Sequence, residues 1–253
     1  MRYLFILLLN FLIFPMLSQS KPDPNFHIYI LMGQSNMAGR GEMVEPYSSQ
    51  HHERVWMFTA QNQFVLAKHP MHFDKPSVVG VGPGISFGIE MAQQSPSVKI
   101  GLVPCAVGGS SINSWVIHGY DEATKTHPLD DAIQRILAAQ KMGVIKGILW
   151  HQGESDSEIS KRDGYVDKLH ALITQIRHIS QDASLAFVLG ELGYFNQNYL
   201  DFNQLLSSFN APNQHTSLVS AQDLRAKSDQ IHFNSQSATE LGKRYAFAMQ
   251  KLP

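Results

Sequence analysis

The chain has 253 residues, 43% of them hydrophobic, with 20 Lys and Arg against 21 Asp and Glu for a formal net charge of −1. That balance excludes the basic surface bias that nucleic acid or an anionic lipid surface selects, so a small or neutral partner is expected, with no nucleic acid and no membrane. One cysteine, Cys105, excludes an internal disulfide and reads as a small buried hydrophobe.

Residues 1–20, "MRYLFILLLNFLIFPMLSQS", carry an early Arg and an apolar run from Leu4 to Leu17 that Asn10 and Pro15 interrupt. The run falls short of the roughly 20 residues of a membrane helix, and Ser18 and Ser20 suit the positions that signal peptidase reads. A signal peptide cut after Ser20 is expected, with an uncleaved anchor as the alternative; the product is then exported, secreted or periplasmic. Residues 21–253 are long enough for one α/β domain, and no repeat or linker divides them.

Along the chain, short apolar runs alternate with helical patterns, the signature of a parallel sheet with crossover helices. A strand over 26–32 runs directly into Gly33-Gln34-Ser35-Asn36, where an extended chain must turn sharply. A second strand is expected over 55–59. From there to Pro83 the pattern fails, and "HPMHFDKPSVVGVGPG" reads as a long loop forming a wall of a cleft. Its glycines do not have dinucleotide-binding spacing, so they read as a turn. A helix over 85–94 precedes a strand over 98–104, which ends near Gly108-Gly109-Ser110. Then follow a helix over 129–142 and a strand over 145–150 leading to His151-Gln152-Gly153-Glu154. The remainder reads as helix 162–180, strand 185–189, helix 200–209, strand 217–220 and helix 237–249. Leu241, Tyr245, Ala248 and Met249 make one buried face of the last.

In an open parallel sheet every strand ends at the same edge, so these polar clusters become neighbours in space, joined by "SDQIHFN" after the last strand. A serine hydroxyl needs a base to remove its proton, and the usual base is a His held in one tautomer by a carboxylate. Asp229 and His232, three residues apart, offer that pair to Ser35. The oxyanion formed on attack needs fixed donors. Backbone N–H groups of Ser35 and of Gly108 or Gly109 qualify, and the Gln152 amide is a third candidate.

Together, "GQSNMAGRG", "GLVPCAVGGSSINSW", "ILWHQGESD" and "DQIHF", in this order, resemble the blocks of SGNH-type hydrolases, in particular the sialate O-acetylesterase-like branch of carbohydrate esterases. The resemblance runs from Ile28 to about Arg244. It implies a three-layer α/β/α sandwich with a central, mostly parallel, flavodoxin-like sheet. By position it makes Ser35 the nucleophile and Asp229 and His232 the acid and base. It places Ser35, Gly109 (with Gly108 as the alternative) and Gln152 in the oxyanion hole. No cofactor is called for. The implied activity is serine-dependent removal of acetyl groups from a carbohydrate such as sialic acid or xylan. A non-catalytic carbohydrate-binding protein or a short-chain esterase or lipase is the alternative.

Other residues carry weaker expectations. Glu154 is read as structural, holding the "HQGESD" loop, with orientation of His232, binding of loop N–H groups or pairing to Arg40 as alternatives. His151 is a pocket or a satisfied loop histidine. Trp115 and Tyr120 are candidate sugar-stacking residues whose default is the core. No metal is required: H-E-x-x-H is absent, and His51-His52-Glu53 reads as solvated.

Overall fold

The computed structural model describes residues 21–210 and 214–253, so the expected signal peptide lies outside the described residues. Seven strands form one sheet: β1 (Asp23–Gly33), β2 (Val55–Phe58), β3 (Phe64–Leu66), β4 (Lys99–Pro104), β5 (Gly143–His151), β6 (Ala186–Gly190) and β7 (Thr216–Val219). Their order is β3-β2-β4-β1-β5-β6-β7, and every pair is parallel except β2 with β3. Among the described residues six α-helices accompany them, besides three 3-10 turns: α1 (Ser35–Ala38), α2 (Pro83–Gln94), α3 (Pro128–Ala139), α4 (Tyr165–Ile179), α5 (Gln197–Asn210) and α6 (Ser235–Gln250).

Side chains on a strand alternate between faces, and in β1 both faces are apolar. Ile28, Ile30 and Met32 enter a core built with α3, α4 and α5, whereas Tyr29 and Leu31 enter the one built with α2 and α6. Helices on both faces of a mostly parallel sheet make the expected three-layer α/β/α sandwich. All six expected strands and five expected helices are present, their ends shifted by a few residues.

Two elements depart from the sequence reading. Phe64–Leu66, inside the segment read as loop, forms the antiparallel edge strand β3 against β2. Three residues are too few for alternation to be visible. The other is α1, a single turn whose N-cap residue, Gln34, makes no side-chain capping bond. "GVGPG" is a turn as expected: Pro83 opens α2, and Gly80 and Gly82 lie against Gly41 and Gly39.

Where β1 ends, Gly33 adopts φ +126°, and a Cβ there would lie 2.0 Å from the His151 carbonyl oxygen. The Gln34 N–H donates to that same oxygen at 2.8 Å, fixing the sharp turn that starts α1. Only glycine tolerates both the dihedral and the approach. Gly33→Ala is therefore expected to lower the unfolding free energy by about 3 kcal/mol. Urea denaturation checks this, and an unchanged midpoint contradicts it.

Candidate active site

The ends of β1, β4 and β5 and the segment before α6 meet in a cleft of about 400 Å³. Ser35 opens α1, and its Oγ lies 2.9 Å from His232 Nε2, although 197 positions separate the two residues. His232 Nδ1 lies 2.8 Å from Asp229 Oδ2. The short spacing works because Asp229 also closes its own turn: Oδ1 accepts the N–H groups of Ile231 and His232, each at 2.9 Å. Oδ2 is left to the imidazole. A carboxylate facing Nδ1 keeps the proton there, so Nε2 is free to accept from the Ser35 hydroxyl.

Burial acts to raise the Asp229 pKa, but the bonds from the His232 N–H and ring and the Ile231 N–H outweigh it and hold the carboxyl at about 2. The side chain is 38% exposed, so solvent screens these interactions.

The two glycine candidates are distinguished by what their N–H groups meet. Gly108 donates to Asp74 Oδ2 at 2.8 Å. The Gly109 N–H, held at φ +84°, and that of Ser35 have no acceptor among the described residues, and both residues line the cleft.

Gln152 does not face the cleft, which corrects the expectation for its amide. It is fully buried, and Nε2 donates to Gln34 Oε1 at 3.2 Å, to Ser110 O at 3.1 Å and to Asp156 Oδ2. With these acceptors taking its hydrogens, the amide braces the cleft floor. Asp156, which the sequence reading passed over, also accepts from Ser111 Oγ at 2.6 Å and from the Ile112 N–H at 2.9 Å. It joins the loops after β4 and β5. Its signal was its place in "HQGESD".

Glu154 lines the cleft with its carboxylate almost wholly buried. Burial pushes its pKa up, but interactions with His151 and the Asn36 amide prevail and hold it below the usual range. It does not pair with Arg40, whose guanidinium meets Asp74 Oδ2 at 2.7 Å. Asp74 lies in the segment read as a cleft wall, and Lys75 and Val78 of that segment do line the cleft. Asn36 was also missed: its Nδ2 donates to Glu154 Oε1 and, at 3.1 Å, to Ile231 O, while Oδ1 accepts the Phe233 N–H at 3.0 Å.

His151 is fully buried rather than a pocket residue, its Nδ1 3.1 Å from the Tyr245 hydroxyl and its Nε2 facing Glu154 without a hydrogen bond. Trp115 belongs to the core, edge-on to Trp150 at 5.1 Å between ring centroids. Tyr120 is exposed and sits beside His127, away from the cleft. Cys105 is a buried hydrophobe, and burial pushes its thiol up to about 11 against the pull of Arg135. Arg135 is the basic group beside it, a neighbour that the sequence around Cys105 does not show. Its guanidinium is committed to the Phe58, Thr59 and Pro104 carbonyls.

A depressed Asp229 pKa stabilises the fold above the ordinary aspartate range, and that contribution is lost as pH falls through about 2. A ¹³C NMR titration of the Asp229 carboxyl is expected to give a midpoint near that value. One at or above the unperturbed figure of roughly 3.9 contradicts the turn-capping geometry.

Residues 25–251 match the model of a family whose description is carbohydrate esterase, sialic acid-specific acetylesterase. The Arabidopsis thaliana protein named "Probable carbohydrate esterase At4g34215" is 31% identical over 250 residues, covering 90% of this chain and 91% of its own. The X-ray structure of the Arabidopsis AT4G34215 protein matches with a TM-score of 0.80 at 28% identity, over 90% of this chain and 98% of its own. NanS matches at 0.69 and 17% identity over 92% and 98% of the two chains. XAC1771, a carbohydrate acetylesterase from Xanthomonas citri, matches at 0.64 and 18% over 89% and 56%. At such identities the last two show a shared fold.

Proposed function

The chain belongs to the carbohydrate esterase family of sialic acid-specific acetylesterases, and from that premise we propose that it removes O-acetyl groups from a carbohydrate through Ser35, His232 and Asp229. The observation that carries this reading is the hydrogen-bonded series Asp229–His232–Ser35, at 2.8 and 2.9 Å, assembled from opposite ends of the chain at the mouth of one cleft.

In this mechanism the Ser35 oxygen attacks the acetyl carbonyl carbon while His232 Nε2 takes the hydroxyl proton. The imidazolium so formed is stabilised by Asp229. The tetrahedral oxyanion is received by the N–H groups of Ser35 and Gly109, which the fold leaves unspent. Collapse breaks the bond to the sugar oxygen, and His232 returns its proton to that oxygen. Water then attacks the acetyl-enzyme with His232 again as base, releasing acetate and restoring Ser35. Lys75, Glu154, Ser155 and Tyr199 line the cleft beside Ser35 and His232, and their polar atoms suit a hydroxyl-rich alcohol group. O-acetylated sialic acid and acetylated xylan are the glycans proposed, and acetate release from a panel of acetylated glycans distinguishes them.

Ser35→Ala is expected to abolish hydrolysis of 4-nitrophenyl acetate with an unchanged thermal transition; retained turnover removes Ser35 from the mechanism. Asp229→Asn is expected to lower kcat by roughly 10⁴, because an amide no longer selects the required imidazole tautomer. An active Asp229→Asn enzyme assigns the acid role elsewhere.

A further inference from the structure

We propose that Asn36 is the positioning residue of this site: its side-chain amide, fixed in orientation by the Glu154 carboxylate, locks the His232 segment against Ser35. The inference rests on Ser35 and His232 acting as nucleophile and base.

His232 does not sit on a strand or helix; it lies in the segment between β7 and α6. Internal bonds give that segment its shape. Ala226 bridges Phe233, the Lys227 N–H donates to the His232 carbonyl at 2.7 Å, and Asp229 caps its own turn. None of these sets its distance from Ser35. One tie to the β1 side is Lys227 Nζ on the Arg40 carbonyl at 2.7 Å, made through a flexible four-carbon stem. Asn36 supplies a shorter one. It holds the carbonyl of Ile231 and the N–H of Phe233, the residues immediately before and after His232.

The amide has one workable orientation. Nδ2 faces two acceptors, Glu154 Oε1 and Ile231 O, while Oδ1 faces a donor. A flip would set oxygen against oxygen twice and N–H against N–H once. Glu154 is held in place by burial on the edge of the cleft, with His151 Nε2 3.6 Å from Oε1, close but outside hydrogen-bond distance. His151 Nδ1 meets the Tyr245 hydroxyl, which donates to the Trp150 carbonyl at 2.8 Å. Buried polar groups thus line up from α6 past the end of β5 to Glu154, whose bond to Asn36 leads on to the base. Ser35 and Asn36 are consecutive in α1, so nucleophile and tie share one rigid turn.

The test is steady-state kinetics of 4-nitrophenyl acetate hydrolysis, with circular dichroism and thermal melting of each variant. Asn36→Ala is expected to lower kcat by about 10²-fold, the scale of an ångström's misplacement of a reacting group, while KM stays near the wild-type value. Asn36→Asp opposes a second carboxylate to Glu154 and loses activity as well. Adding Glu154→Gln supplies an amide donor to that new carboxylate, and N36D/E154Q is expected to recover kcat relative to Asn36→Asp alone. A wild-type kcat in Asn36→Ala beside an inactive Ser35→Ala overturns the positioning role and leaves the Ser35 reading intact. Turnover in Ser35→Ala overturns that reading instead. A change confined to KM also defeats the proposal. Should Asn36→Ala fail to fold, N36D/E154Q no more active than Asn36→Asp decides against it.

Discussion

The parallel pairing of β1 with both β4 and β5 is the constraint on which the site depends. It places one central strand between two that come much later in the chain and aligns all three carboxyl ends at one edge. Side-chain chemistry at that edge is then a matter of what each chain does in its first few residues beyond the sheet. Gly33 lets β1 pass against the His151 carbonyl and turn at once, so Ser35 emerges beside the loop of Gly108 and Gly109 and beside Glu154. Burial on both faces of β1 by two separate cores fixes the register, since a slip of one residue would exchange Ile30 and Leu31 between them.

Four carboxylates lie around this edge, and an oxyanion forming among them would be repelled unless each were compensated. Each is, by a different device. Asp74 neutralises Arg40 and takes the Gly108 N–H. Asp156 is consumed by Ser111, Ile112 and Gln152. Glu154 takes the Asn36 amide at Oε1, with the His151 ring close by. Asp229 alone serves the catalytic imidazole in the proposed mechanism, and it is the most exposed of the four. Exposure suits it: the bonds within its own short turn, rather than burial, hold it in place.

Much of this was legible in the sequence because it is local or periodic. Alternating apolar runs marked six strands, and Asp229 and His232 could be paired because three residues of chain suffice to join them. What escaped depends on partners from elsewhere in the fold. Gln152 stands in a motif, but a motif does not say which way a side chain points; here Asp156, four residues on, draws the amide into the floor. Gly108 and Gly109 were equivalent as letters. They differ because Asp74 claims one N–H, and Asp74 lies in a segment with no periodicity to place it. Asn36 was visible only as a turn residue, since both of its backbone partners are about 195 positions away.

Those long-range partners also explain how the proposed base, carried on an irregular segment, is kept in register with the proposed nucleophile in α1. Loops are more mobile than the elements they join. A base held only through its own segment would drift relative to Ser35 with every motion of that segment. Because Ser35 and Asn36 share one helical turn, any displacement of α1 moves the hydroxyl and the grip on Ile231 and Phe233 together. The Ser35–His232 distance is then insulated from movement of either side.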